Sequence, residues 1–393
     1  MKKSNNVKNG INDGKKRLLF IFGTRPEAIK IAPLVQHFLH SHTFETKICV
    51  TAQHRQMLDQ VLEVFDIQPD FDLNLMQSAQ TLGEMTARML LSLENVLADY
   101  LPNLVIVHGD TATAFAASLA CYYQKIPVAH IEAGLRTDQR DNPFPEEANR
   151  RLIGLLADYH FAPTAQAQQN LLGEGIAAEK IWVTGNTVID ALFQVVQKIT
   201  ENSPLATQLN QQFSFLDANK KLLLVTSHRR ENMGQGIEQI CQALKRVATS
   251  YPQVQIVYPV HLNPQIVEPV QAWLSNVNNI FLIEPQAYLP FVYLMKRAYL
   301  ILTDSGGIQE EAPALGTPVL LMRETSERPE TLDAGVVRLV GTDTRTITQA
   351  VGELLENQQS YQSMCQTTAL YGDGRASERI FHTISEILNY ENR

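Results

Sequence analysis

Short apolar runs rich in β-branched residues alternate with helical patterns from Arg17 onward. In the first half the strand-like runs are RLLFIFGT, TKICVT, LVIVHG, PVAHIE, YHFAPT and IWVTGN. In the second half they are LLLVTSH, VQIVYPVH, IFLIEP, LILTDS, PVLLM and VVRLVG. This alternation predicts parallel sheets covered by helices on both faces. Six strands in each half predict an α/β chain of two doubly wound domains rather than one large sheet. No sequence repeat relates the halves; only the architecture recurs. After TGNTVIDALF the chain turns polar, in KITENSPLATQLNQQF, and the strand signal lapses. The expected division is an N-terminal domain over 17–187 and a C-terminal domain over 188–374. The final segment, 375–393, places Ile380, Phe381, Ile384, Ile387 and Leu388 at helical spacing. It reads as an amphipathic helix that packs back on the first domain.

Composition narrows the classes. The chain has 393 residues, 45% hydrophobic and 19% charged, too long for one hydrophobic core. Residues 1–16, MKKSNNVKNGINDGKK, are polar and lysine-rich without an apolar h-region, which predicts a disordered extension rather than a signal peptide. No apolar stretch approaches the roughly 20 residues of a membrane span. The four cysteines, Cys49, Cys121, Cys241 and Cys365, lack metal-like spacing and suit free thiols in a reducing cytoplasm. A formal charge of −8 argues against nucleic acid as a partner, so any anionic ligand must be held by local positive groups.

Ligands of open parallel sheets bind outside the carboxyl ends of the strands. After the first run comes GTRPEAIK, where Gly23 permits a turn and Arg25 and Lys30 bracket a helix start. That is a phosphate site, or a capped helix with two solvated cations; neither GxGxxG nor GK[ST] is present. HGDTATAF, HIEAGLRT and DNPFPEEANRR bring Asp110, Glu132 and Glu146 toward one sheet edge, among Arg136, Arg140 and Arg150. Asp110 alone reads as a helix cap. Three such acids in a cleft push one another's pKa upward and point to acid or base chemistry. In TSHRRENMG, His228, Arg229 and Arg230 follow a strand and suit a phosphate contact; His261 in HLNP suits a turn. In DSGGIQEEA the amides of Ser305, Gly306 and Gly307 open a helix that can hold a diphosphate, and a glutamate further along can accept both hydroxyls of a ribose. The alternative is a glycine-rich turn whose acidic first turn matches the helix dipole. Arg323 and Arg328 in RETSERPE are further anion contacts or a solvated face.

GTRPEAIK, TAQHR, HGDT, HIEAGLRT, PFPEEANR, TGNTVID, HRREN, DSGGIQEEA, GTPVL and RETSERPE stand in this order over about residues 18–340. Together they resemble one family, the non-hydrolysing UDP-N-acetylglucosamine 2-epimerases of bacteria. The resemblance implies a GT-B-type fold, two Rossmann-like domains with the active site in the cleft between them. It implies reversible conversion of UDP-N-acetylglucosamine to UDP-N-acetylmannosamine through elimination of UDP to 2-acetamidoglucal, feeding surface polysaccharide synthesis. Asp110, Glu132 and Glu146 match the carboxylates around the sugar, and His228 assists departure of the diphosphate. Arg25, Lys30, Arg150, Ser305, Gly306, Gly307 and Arg328 match substrate contacts, with Glu311 on the ribose and Phe291 near the uracil. Gln53, Gln56, Gln80 and His261 match a site where a second substrate molecule regulates the enzyme. The resemblance further implies a homodimer and chemistry that needs neither metal nor cofactor. The rival readings are a hydrolysing epimerase, a GT-B glycosyltransferase and a non-catalytic sugar-nucleotide sensor.

Overall fold

The computed structural model describes residues 15–51, 55–76, 80–137, 139–141, 143–326, 328–367 and 369–390. Residues 1–14 of the expected extension lie outside these. The first sheet holds β1 (Lys16–Phe22), β2 (Phe44–Val50), β3 (Phe71–Asp72), β4 (Leu104–His108), β5 (Val128–Ile131), β6 (Tyr159–Ala162) and β7 (Ile181–Val183). The second holds β8 (Lys221–Thr226), β9 (Val254–Pro259), β10 (Ile280–Ile283), β11 (Leu300–Thr303), β12 (Val319–Leu321) and β13 (Val337–Leu339). Every pairing in both sheets is parallel. The sequence pattern misses β3, whose two residues pair with Cys49 and Val50 at the sheet edge. A strand that short has no apolar run to reveal it.

The strand orders are β3-β2-β1-β4-β5-β6-β7 and β10-β9-β8-β11-β12-β13. Each sheet reverses direction once, between β1 and β4 and between β8 and β11. Such switch points leave a crevice beyond the carboxyl ends of the central strands, where ligands bind. The residues singled out after those strands, Arg25 and Asp110 on one sheet and His228 and Ser305 on the other, therefore have a topological reason to be polar. The result is two Rossmann-like lobes, the GT-B arrangement.

One apolar core spans both sheets. Leu18, Phe20 and Phe22 of β1, Leu222 and Leu224 of β8 and Ile301 of β11 belong to a single buried cluster. The helix Thr187–Glu201 joins them through Ala191, Leu192, Val195 and Ile199. We propose the division between lobes at 187/188, where this linking helix begins. The strand signal lapses over 198–213 because the end of this helix and a second one, Ser203–Gln212, fill that stretch; Asn186 caps the linking helix by accepting the Val188 N–H at 3.1 Å.

The closing helix Ala376–Tyr390 packs on the linking helix and on the helix Arg25–Leu39 of the first lobe. Ile380, Ile384 and Leu388 are fully buried, each worth about 1.5–3 kcal/mol. The Phe381 ring lies 4.9 Å from that of Phe38. Asp190 of the linking helix accepts the Ala376 and Ser377 amides at 3.2 and 2.7 Å, fixing where the closing helix starts. Asp190→Ala should therefore destabilise this attachment by about 2 kcal/mol. Limited proteolysis should then release the C-terminal segment under conditions that spare the wild type, and equal resistance would count against the anchor.

Candidate active site

Gly23 follows β1, and a Cβ there would run into the hydroxyls of Thr51 and Thr113. The glycine thus serves a close approach of chains rather than the tight turn expected. Glu27 is buried and accepts the Gly23 and Thr24 amides at 3.1 and 2.8 Å, and the Thr111 hydroxyl at 2.7 Å. Burial raises its pKa against those hydrogen bonds. The Gly23 and Thr24 amides just before this helix are consequently spent on a carboxylate, and the charge available to an anion here is that of Arg25. Burial pulls the Arg25 guanidinium below its ordinary pKa, and no partner engages it among the described residues.

Three acids meet in a cavity of about 460 Å³ lined by Lys30, His108, Asp110, Glu132 and Glu146, with Leu82 and Met85 as its apolar side. Each acid is held differently. Asp110 does not cap the helix beyond it; Thr111 does, accepting the Ala114 N–H at 3.0 Å. The Asp110 carboxylate takes two bonds from Arg150, from Nε and Nη2, both at 2.7 Å. Arg150 is aimed by Glu147, whose buried carboxylate accepts Nη1 at 3.0 Å. Glu146 presents Oε2 with no partner among the described residues.

Glu132 has φ +61°, a left-handed conformation rare for a side chain with Cβ and common where function demands it. Its Oε2 meets Lys30 Nζ at 2.5 Å and Asn186 Nδ2 at 2.6 Å, with His108 Nε2 4.0 Å away. Burial pushes the Glu132 pKa up, but Lys30, His108 and Arg328 together outweigh it and hold the carboxyl well below its usual range. The mutual raising expected of clustered acids does not govern this residue, whose charged neighbours of note are cations, Lys30 at 2.5 Å first among them. Burial also works to discharge Lys30, yet Glu132 and Glu310 keep the ammonium above its ordinary pKa. His108 is drawn down to about 4 by burial, against the pull of Glu132, and is neutral near pH 7. Arg136 and Arg140 are not part of this group; they pair with Glu174 and Asp141 instead.

On the facing lobe, Asp304 is fully buried at the end of β11 and collects four donors. These are the Ser227 hydroxyl at 3.0 Å, the His228 and Arg229 amides at 2.9 Å each, and Asn232 Nδ2 at 3.1 Å. His228 Nδ1 lies 3.2 Å from the same carboxylate. Desolvation lowers the His228 pKa, Asp304 opposes, and the charges of Arg229 and Arg25 add to the lowering. The charge of Arg25, on the first lobe, is thus felt at His228. Of the three amides expected to cradle an anion, that of Ser305 already donates to Thr303 Oγ1 at 2.9 Å. Gly306 and Gly307 keep theirs unpartnered among the described residues. The helix beyond, Ile308–Ala314, has seven residues with Glu310 and Glu311 in its first turn, so its dipole adds little. Positive charge comes from side chains: a methyl at Gly306 would lie 3.5 Å from Arg328 Nη1 and 3.6 Å from Arg229 Nη2.

Glu311 accepts the Tyr288 hydroxyl at 2.8 Å, and burial raises its pKa to about 7. Phe291 is half-buried three residues further along the helix that carries Tyr288. Arg323 donates to Glu231 at 2.7 Å in the turn after His228. His261 stacks on His228 at 6.2 Å, beside the anion wall, while Gln80 donates to the Met76 sulfur at 3.3 Å. Gln53 and the side chains of Gln56 and Arg230 lie outside the described residues.

The sequence pattern misses what joins the walls. Asn186 donates to Glu132 and, at 2.8 Å, to Glu310 Oε2. Glu310 in turn takes Nε and Nη2 of Arg328, both at 2.7 Å. An acidic cavity on one lobe is thereby tied to a cation-flanked diglycine turn on the other. That arrangement suits a ligand with a diphosphate at one end and a group undergoing proton transfer at the other.

The profile of the UDP-N-acetylglucosamine 2-epimerase family matches residues 37–385. The UDP-N-acetylglucosamine 2-epimerase of Salmonella typhimurium is 58% identical over 94% of this chain and 98% of its own. That of Escherichia coli K12 is 55% identical over the same shares. The Neisseria meningitidis enzyme, solved bound to UDP-GlcNAc, superposes with a TM-score of 0.90 at 51% identity, covering 94% of this chain and all of that one. The Methanocaldococcus jannaschii enzyme, solved with UDP-GlcNAc and UDP, gives 0.80 at 35% identity over 94% of this chain and 99% of its own.

Asp304→Ala would leave all four donors, which converge on Oδ2, without their acceptor. Hydrogen exchange at the His228 and Arg229 amides should accelerate at least about tenfold. Mass spectrometry of the exchanged peptides reads this directly, and wild-type rates would remove Asp304 as the organiser of that turn.

Proposed function

We propose, for a chain that belongs to the UDP-N-acetylglucosamine 2-epimerase family, reversible inversion at carbon 2 between UDP-N-acetylglucosamine and UDP-N-acetylmannosamine without release of free sugar. The carrying observation is the bridge from the three-acid cavity to Gly306 and its two arginines. The hydrogen on carbon 2 is not next to a carbonyl and is too weakly acidic for a carboxylate to remove directly. Departure of UDP changes that. The C1–O electron pair leaves with the diphosphate, and the oxocarbenium-like sugar acidifies the neighbouring C–H. A carboxylate takes the proton, and the C–H electron pair becomes the C1–C2 double bond of 2-acetamidoglucal. Protonation of carbon 2 from the opposite face and re-addition of UDP complete the inversion.

Each step calls for a group already described. Arg25, Arg229, Arg328, His228 and the Gly306 and Gly307 amides meet the charge growing on the leaving group. Glu132, kept ionised by Lys30, opposes the positive sugar. Asp110, Glu132 and Glu146 are the proton carriers of the two faces, with Arg150 orienting Asp110. Glu311 receives the ribose hydroxyls and Phe291 lies against the uracil. The same proposal includes a homodimer, a cytoplasmic enzyme supplying surface polysaccharide synthesis, and regulation by a second substrate molecule. His261, stacked on His228, is the described residue that supports regulation. Among the described residues no helix is long and apolar enough to cross a membrane.

In heavy water, protein and UDP-N-acetylglucosamine should yield both epimers with deuterium at carbon 2. Asp110→Asn and Glu132→Gln should each lower that exchange at least about 100-fold while leaving UDP affinity within a few-fold. Accumulation of free N-acetylmannosamine would instead make this a hydrolysing enzyme, and no exchange at all would end the epimerase reading.

Glu311 also sets a pH dependence. Burial raises its pKa to about 7 and Tyr288 opposes; ribose hydroxyls donate more strongly to the ionised form, since protonation turns one acceptor oxygen into a donor. Affinity for UDP-N-acetylglucosamine should hold above pH 7 and fall up to about tenfold per unit below it. Calorimetry should find this slope in the wild type and not in Glu311→Gln; a slope shared by both would clear Glu311 of the ribose.

A further inference from the structure

We propose that Asn186 and Glu310 are positioning residues that couple the anion-holding wall to the carboxylate at the sugar. The inference rests on the epimerase reading and deepens it. Its substance is geometric. Asn186 Oδ1 is committed to the Val188 N–H, which fixes the amide's orientation and points both Nδ2 protons the other way. One goes to Glu132 Oε2 at 2.6 Å and the other to Glu310 Oε2 at 2.8 Å. The amide's hydrogen-bonding groups are all engaged. Glu310 has no exposed side-chain surface and uses its other oxygen for Arg328, which flanks Gly306.

The row reads Lys30, Glu132, Asn186, Glu310, Arg328: a cation at each end, two carboxylates inside, and one neutral amide between them. His108 faces Glu132 from the end of β4 and is neutral near pH 7. Helix capping accounts for one atom of Asn186. It does not account for an amide inserted between two buried anions from different lobes, nor for a glutamate that spends both oxygens linking them.

The arrangement has a direction. When a departing diphosphate draws on Arg328, Glu310 is left less compensated. Its uncovered charge then acts on Glu132 through a short, dry path, and a carboxylate facing more negative charge holds a proton more readily. Loss of UDP from carbon 1 and uptake of the carbon 2 proton are thereby brought into step. On re-addition the same path runs in reverse.

Glu310→Gln keeps the shape but presents an amide N–H to one of two donors. Asn186→Ser keeps a helix cap and removes both bridging protons. Each variant should lower kcat at least about tenfold, leave the UDP dissociation constant within about threefold, and raise the isotope effect from substrate deuterated at carbon 2. The double variant should be no slower than the slower single one, because both act on one path. Multiplying losses, an unmoved isotope effect, or kcat within about twofold of wild type in a folded variant would each overturn the inference. Wild-type protein run alongside separates the two claims. If it turns over while the variants are unimpaired, only the coupling fails; if it does not exchange carbon 2 at all, the epimerase reading fails and takes the coupling with it.

Discussion

Asn186 donates both protons of a single amide to two buried carboxylates, Glu132 and Glu310, each backed by its own cation. Taking a carboxylate out of water costs several kcal/mol even after relaxation, so two of them side by side exist only where the compensation is complete. Here it is supplied from three separate places: the first helix gives Lys30, the linking helix its cap Asn186, and the second lobe Arg328. None of these is a neighbour of another in sequence except through the fold. The row forms only once both sheets and the linking helix share their common core, so packing that looks purely structural decides where the charges stand.

The same dependence explains what could be read in advance. Strands buried on both faces announce themselves as apolar runs, and the order of lobes follows from their alternation with helices. The strand ends then mark which polar residues share an edge, which brought Asp110, Glu132 and Glu146 together correctly. Position along an edge does not tell which atoms are already engaged. GTRPEAIK looked like a phosphate loop, but Glu27 occupies its amides. Asp110 looked like a cap, but Thr111 sits one residue later in better register for it. In QEEA two adjacent glutamates are indistinguishable on paper. They point about 100° apart on a helix, so one meets Tyr288 and the other Arg328. Sequence proximity put Glu311 in the nucleotide wall; only three-dimensional contact reveals Glu310 as the link.

Net charge proves a poor guide to what the cleft can hold. The chain carries −8, yet screening confines exposed charges to about 8 Å at physiological ionic strength. A diphosphate placed near Gly306, as proposed, would therefore respond mainly to Arg229 and Arg328 beside it. Arginine suits this position because it does not lose its proton: the guanidinium stays charged even where burial depresses it. Desolvation lowers the pKa of His228, so it adds less positive charge than the arginines beside it.

A reversible elimination adds one requirement that hydrolysis does not: UDP must stay in place after its bond to the sugar is gone. In the proposed reading, permanent positive charge around the diphosphate and a glutamate on the ribose would supply that hold independently of what happens at carbon 2. The proposed proton carriers occupy the other lobe, where Lys30 pairs with Glu132 and Arg150 with Asp110. Retention and proton transfer are thus assigned to different walls. Their separation makes a physical connection between them necessary, and Asn186 stands where that connection has to pass.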